Sequence, residues 1–305
     1  MRLVSFRDQQ GGTRTGAMVD ARVIDLTPVI AALALPASIA ERGLAAPASG
    51  MMRLLYAGAA GLAAVRRYVD EASATGALEQ HALLREVRLT APVPRPGKIV
   101  AIGRNYAEHA KETGVQPAER PRIIAKLSSS VVGPGAVVRR PAQVSKLDLE
   151  AELAVVIGSF AAQVSRGQAL QAVAGYTILN DLSAREFQFD VSPPQTTFAK
   201  SMDGFCPMGP WLTTTDEIAD PQALEISSFL NDTRMQHGNT ADMLFPVDRL
   251  IEYLSQYMTL EPGDVIATGT PAGSGAFRDP PVWLKPGDRV RIEISSLGTL
   301  EHSIG

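Results

Sequence analysis

Cysteine is almost missing from this chain: Cys206 stands alone among 305 residues. No internal disulfide framework can form, and a cysteine-ligated zinc site is excluded with it. A lone thiol fits a reducing compartment, and the cytoplasm is the expected location. Histidine is scarce too. Of His81, His109, His237 and His302, no two stand at metal-ligand spacing. Charge of one sign is not in excess. The formal net charge is −3, which leaves no basic footprint for nucleic acid or an anionic membrane surface. Long apolar runs are also lacking. The Ala/Leu-rich stretches over 30–48 and 52–66 are interrupted by Pro36, Pro47 and Arg53, so no membrane span is expected. Met1 to Phe6 lead directly into a strand-like pattern, without the basic and then apolar regions of a signal peptide. There is no Gly-x-Ser-x-Gly nucleophile elbow, and Cys206, beside Pro207, reads as a packed thiol.

What is present is ordinary globular composition, and the length suits one large domain with a smaller one. In residues 1–90, Leu3 to Phe6, Ala17 to Val19 and Ala21 to Leu26 read as short strands. Helical patterns follow near 28–35, 51–58 and 60–73. With no concentrated polar group, this part reads as a small α/β lid or oligomerisation module. Pro92-Val93-Pro94-Arg95-Pro96-Gly97 is a stiff extended linker that separates it from residues 91–305. Beyond the linker, strand patterns dominate: Lys98 to Ile102, Ile123 to Lys126, Leu153 to Ile157, Gly175 to Leu179, Ile226 to Leu230, Val265 to Thr268 and Arg289 to Ile294. A helix is expected over Val247 to Tyr257, with Leu250, Ile251 and Leu254 on its apolar face. Turns at Pro262-Gly263-Asp264 and Pro286-Gly287-Asp288 punctuate the strands. The predicted class is α+β: a mixed β-roll or barrel-like catalytic domain rather than a doubly wound sheet.

The chemistry concentrates at Asp148-Leu149-Glu150-Ala151-Glu152, at the head of an apolar run. In a strand, positions i and i+2 share a face, so Glu150 and Glu152 converge. Two like charges at the mouth of a core repel unless a cation lies between them, and oxygen-only ligands suit Mg2+ or Mn2+. A solvated edge strand is the plainer reading. Asp181 follows another apolar strand, either as a third carboxylate or as the N-cap of a helix. His109 and Glu112 stand at i, i+3, either as an imidazole oriented by a carboxylate or as surface charge on a solvated helix. Lys200 lies among apolar residues, either holding a substrate oxygen or snorkelling to the surface. The loop Gly269-Thr270-Pro271-Ala272-Gly273-Ser274-Gly275 lacks phosphate-loop and dinucleotide patterns, yet its N–H groups and the Thr270 hydroxyl can cradle a carboxylate.

Five segments in order resemble the fumarylacetoacetate hydrolase family. They are Lys98 to His109, Asp148 to Gly158, Asn180 to Arg185, Lys200 to Pro210 and Pro262 to Pro271. The likeness spans roughly 98–300; residues 1–90 carry no comparable mark. It implies a β-roll catalytic domain, a homodimer, and Mg2+ or Mn2+ held by Glu150, Glu152 and Asp181. It also implies that His109 and Glu112 activate water, that Lys200 stabilises an oxyanion, and that Arg185, Gln188 and Thr270 contact substrate. Gly204 and His302 depart from the usual threonine and asparagine. The expected activity is C–C bond hydrolysis of a 2,4-diketo acid. Decarboxylation of an oxaloacetate-type 2-oxo acid, or isomerisation or hydration in aromatic breakdown, is the alternative on the same site. A non-catalytic binding protein is disfavoured because no carboxylate of the trio is lost.

Overall fold

The computed structural model describes all residues except 9, 46, 48, 49, 76–81, 84, 85 and 117; His81 therefore lies outside the described residues. The largest sheet runs in the order Ala82–Leu83, Arg22–Asp25, Thr13–Val19, Arg2–Arg7, Cys206–Thr214, Val173–Asn180, Ala151–Ile157, Val265–Ala267, Ile99–Gly103 and Arg122–Lys126. Arg88–Thr90 and Val131–Val132 pair alongside this path. The two ends of the path do not pair, so among the described strands the sheet stays open rather than closing into a barrel. A five-stranded sheet, from Thr233–Asn239 to Val137–Val138, packs beside it.

Every residue of Ala151–Ile157 and Val173–Asn180 is buried, as expected of largely apolar strands, interrupted only by Glu152, Thr177 and Asn180, that are covered on both faces. The alternation is read out by the two cores. Leu153, Val155 and Ile157 belong to one apolar cluster, with Leu250, Ile251 and Leu254 of the helix Val247–Ser255. Ala154 and Val156 belong to the other, with Ile30, Leu54, Leu55 and Val65 of the N-terminal helices. Full burial of such side chains contributes about 1.5–3 kcal/mol each. The first ninety residues share this core, and Arg2–Arg7 pairs with Cys206–Thr214 through Leu3 and Leu212.

One local alternative is not what the fold shows, and one strand was not expected. Asp181 does not cap a helix, because Leu182 leads into the short strand Ser183–Ala184, paired with Leu147–Asp148, and the helix begins only at Arg185. Cys206–Thr214, a nine-residue strand in the middle of the sheet, contains Pro207 and Pro210, residues that lack the N–H of a regular ladder.

Candidate metal and proton-transfer site

Glu150 stands just before its strand and Glu152 within it, pointing the same way, and Asp181 follows the neighbouring strand. Oxygens of the three carboxylates lie within 4.8 Å of one another, and all three residues are buried. The solvated-edge reading is therefore not what the fold shows. Lys200 reaches into the cluster: its Nζ lies 2.6 Å from Glu150 Oε2, 2.5 Å from Asp181 Oδ2 and 2.8 Å from Ser183 Oγ. Its side chain does not snorkel; the residue is 3% exposed. Burial opposes its charge, but Asp181 and Glu150 outweigh burial and raise its pKa.

Arg185 closes the other side of Glu150. Its Nη2 donates to Glu150 Oε1 at 2.6 Å, its Nε to Asp148 Oδ2 at 2.9 Å, and its Nη1 to Gln188 Oε1 at 2.9 Å. Burial opposes ionisation of Glu150, yet Arg185 and Lys200 overcome it and hold this carboxyl well below the usual range. Glu152 differs. Burial, then the charges of Asp181 and Glu150, push its carboxyl well above the usual range. Among the described residues its side chain is bonded only by the Gly269 N–H, at 2.9 Å. Four buried carboxylates, counting Asp148, face three bonded cations, Arg185, Lys200 and Lys126. Glu152 is the carboxyl left without a cationic partner, and the trio it completes is all oxygen, the donor set a hard divalent cation takes.

His109 and Glu112 lie on the helix Ala107–Glu112, and the bond expected from their spacing forms at 2.7 Å between Nδ1 and Oε1. His109 is 4% exposed, and its ring meets Phe277 edge-on with centroids 5.7 Å apart. With Glu112 ionised, Nδ1 carries the proton and Nε2 presents a lone pair. One cavity of about 250 Å³ is lined by His109, Lys200, Arg185, Gln188, Thr270 and the carboxylate trio, so the fold brings every sequence-predicted site residue but Glu112 to one cavity. Glu112 acts from behind His109.

The glycine-rich loop holds the protein's own carboxylates. Gly269 N–H bonds Glu152, Gly273 N–H bonds Glu112 Oε2 at 2.9 Å, and Gly275 and Ala276 N–H bond Asp148 at 2.7 and 3.1 Å. Gly269 has φ +100°, and a Cβ there would stand 2.7 Å from Asn105 Cβ. The Thr270 hydroxyl is committed to the scaffold: it donates to Ala151 O at 2.8 Å and accepts from Gln236 Nε2 at 2.7 Å. Sequence reasoning gave no role to Asp148 or Lys126. Lys126 Nζ bonds Asp181 Oδ1 at 2.7 Å, Phe205 O at 3.0 Å and Lys200 O. A lysine closing the strand Arg122–Lys126 was the available signal.

Residues 98–305 match the fumarylacetoacetate (FAA) hydrolase C-terminal domain. The chain is 45% identical over 219 residues to oxaloacetate tautomerase FAHD2A, mitochondrial, of Homo sapiens, covering 72% of this chain and 70% of that one. It is 44% identical over 226 residues to oxaloacetate tautomerase YisK of Bacillus subtilis, covering 73% and 74%. A solved structure of maleylpyruvate hydrolase from Sphingobium, in complex with manganese(II) and pyruvate, superposes with a TM-score of 0.76 at 32% identity, over 100% of this chain and 98% of that one. The buried carboxylate trio, the His109–Glu112 pair and these likenesses converge: the chain belongs to the fumarylacetoacetate hydrolase family.

Proposed function

We propose that this protein is a metal-dependent enzyme that interconverts the keto and enol forms of a small oxaloacetate-type 2-oxo acid. The observation that carries this reading is the His109–Glu112 pair on the cavity that also holds the carboxylate trio. Relatives named oxaloacetate tautomerase, at 45% and 44% identity, support this isomerase alternative over the C–C hydrolysis expected first. Glu150, Glu152 and Asp181 would hold Mg2+ or Mn2+. When bound, such a cation polarises the 2-oxo group and acidifies the adjacent carbon.

The chain's own groups do the rest. His109 Nε2 removes a proton from that carbon, the electron pair moves into the new C–C double bond, and the carbonyl oxygen takes a proton from solvent. Glu112 fixes the tautomer and orientation of His109 and compensates the imidazolium that forms. Lys200, bonded to Glu150 and Asp181, would stand beside a cation held there and could donate to the substrate oxygen. Gln188, held by Arg185, presents its amide to the cavity, while Arg185 keeps Glu150 ionised and Thr270 fixes the loop.

The second reading keeps C–C hydrolysis of a 2,4-diketo acid, with His109 taking its proton from water. Its support is the likeness to maleylpyruvate hydrolase. One experiment separates the two. Mg2+- or Mn2+-loaded protein is mixed with oxaloacetate or an acylpyruvate in D2O, and enol absorbance, deuterium at the acidic carbon and free pyruvate are followed. Metal-dependent enol–keto equilibration with deuterium uptake and no pyruvate release is expected. Stoichiometric pyruvate release selects the hydrolase, and binding without either change selects a non-catalytic role.

Residues 1–90 are proposed as a small N-terminal α/β domain joined to residues 91–305 through the shared sheet, and the protein as a homodimer, which light scattering checks. For location we propose only a reducing compartment. Burial pushes the Cys206 thiol up to about 12, the thiol is free, and the human relative is mitochondrial rather than cytoplasmic.

A further inference from the structure

Two cations line the cavity without any role in the chemistry above: Arg104 and Arg122. Their placement follows from strand register. Ala154 pairs with Ala267, Ala267 with Ala101, and Ala101 with Ile124. Two residues further along, Gly103 and Arg122 pair in the next row, and Glu152 stands two residues from Ala154 on its own strand. Residues in one row share a face of the sheet. The row before it, Ala154, Ala267, Ala101 and Ile124, is buried in a single apolar cluster, so the face is the one that carries Glu152. Arg122 therefore projects from the same face as the carboxylate trio. Gly103 leaves room for its stem, since a Cβ there would stand 3.3 Å from Arg122 Cδ.

Arg104 follows Gly103 in the left-handed region, at φ +59°. For a non-glycine residue this conformation costs about 1–3 kcal/mol and persists where surrounding structure or function demands it. Arg104 is half-buried and Arg122 exposed. Among the described residues neither guanidinium bonds a carboxylate or a carbonyl. Burial, then the nearby charge of Arg122, holds the pKa of Arg104 below its ordinary value. Two guanidinium groups that line one small cavity and bond none of its carboxylates favour an anion there, and the guanidinium fork matches a carboxylate in two-point geometry.

We infer that Arg104 and Arg122 bind a second carboxylate of the substrate, so that the cavity selects dianionic 2-oxo acids over acids with an uncharged tail. The inference rests on the proposed function to the extent that the first carboxylate and the 2-oxo group lie at the trio. At about 250 Å³ the cavity is below the roughly 300–1,000 Å³ of sites for drug-sized ligands, in keeping with a small dicarboxylate.

The test uses the full chain loaded with Mg2+ and the variants Arg104→Gln and Arg122→Gln. Enol–keto conversion is measured with oxaloacetate and with acetylpyruvate, whose tail is uncharged. In each variant the ratio of kcat/KM for oxaloacetate over acetylpyruvate should fall about tenfold, mostly through KM, as expected for one lost charge-assisted contact. An unchanged ratio overturns the inference. A second arm does not depend on turnover: calorimetric titration with D-malate and with D-lactate, which differ by the second carboxylate. Tighter binding of malate by the wild-type protein, abolished in both variants, is expected. Equal binding of the two by the wild type overturns the inference even if oxaloacetate is turned over. Malate preference in a protein that turns over neither acid fails the tautomerase reading alone.

Discussion

His109 Nδ1 lies 2.7 Å from Glu112 Oε1 within a single helical turn, and the other oxygen of Glu112 is held by the Gly273 N–H. The imidazole is thus aimed by a carboxylate that the glycine-rich loop has itself fixed. Replacing Glu112 with Ala frees the ring and removes the compensating charge. The expected loss in kcat is about 10²-fold or more, the usual scale for general-base catalysis. Metal affinity, measured by calorimetry, should be unchanged, because Glu112 lies outside the trio. A parallel loss of metal affinity would show that the pair is part of the cation site instead.

Glu152 is the carboxylate whose charge the metal-free protein supports least. Its raised pKa means that the folded chain holds a proton the unfolded chain has released, so this group favours folding at low pH and opposes it as pH rises beyond the ordinary glutamate range. Glu152→Gln should therefore melt higher than wild type in chelator at pH 8, by roughly 2–4 °C for a gain near 1 kcal/mol. Added Mg2+ should raise the melting temperature of the wild-type protein and leave that of the variant unmoved. A variant less stable than wild type in chelator would refute the charge argument.

His302 is buried, with Nε2 2.8 Å from Asn180 Nδ2, while Asn180 Oδ1 accepts from the Glu150 N–H at 3.0 Å. Burial lowers its pKa from 6.5 to about 4. Below 6.5 the unfolded chain takes up a proton that the folded chain refuses, so stability is present above that pH and drains away as pH falls toward 4. The shift corresponds to about 3 kcal/mol. Denaturant midpoints at pH 7 and pH 4.5 should differ less in His302→Asn than in wild type. Equal differences would mean that the imidazole is already charged in the fold.

Lys126 ties Asp181 to the backbone carbonyls of Lys200 and Phe205. Lys126→Met fits the space yet strands a buried carboxylate and two carbonyls. Breaking such a buried pair costs about 3–5 kcal/mol. Chemical denaturation should show that loss, and excess Mg2+, by neutralising Asp181, should recover part of it. No recovery would indicate that the carbonyls rather than the carboxylate dominate.

The central strands were legible because both their faces are covered. Leu153 to Ile157 is a continuous apolar run and Gly175 to Leu179 is broken only by Thr177, and their short length and β-branched or aromatic residues favour strand over helix. Cys206–Thr214 was not legible, since Pro207, Gly209 and Pro210 are residues that local rules place in turns. Thr233–Asn239 and Gly298–Ile304 escaped for a related reason: each lies in the smaller sheet with polar residues on its exposed side, and their strand pairing comes from partners elsewhere in the chain.

Spacing alone set Glu150 beside Glu152 and His109 beside Glu112, because strand and helix periodicities are local and need no knowledge of the rest of the fold. Tertiary structure decided everything that joins separate segments. It turned Lys200 and Lys126 toward Asp181, made the glycine-rich loop a clamp for Glu152, Glu112 and Asp148, and set Arg122 opposite Gly103 on the cavity that the trio lines. These contacts depend on sheet order and register. Those are settled by how apolar faces pack over long sequence separations, which no local pattern of residues contains.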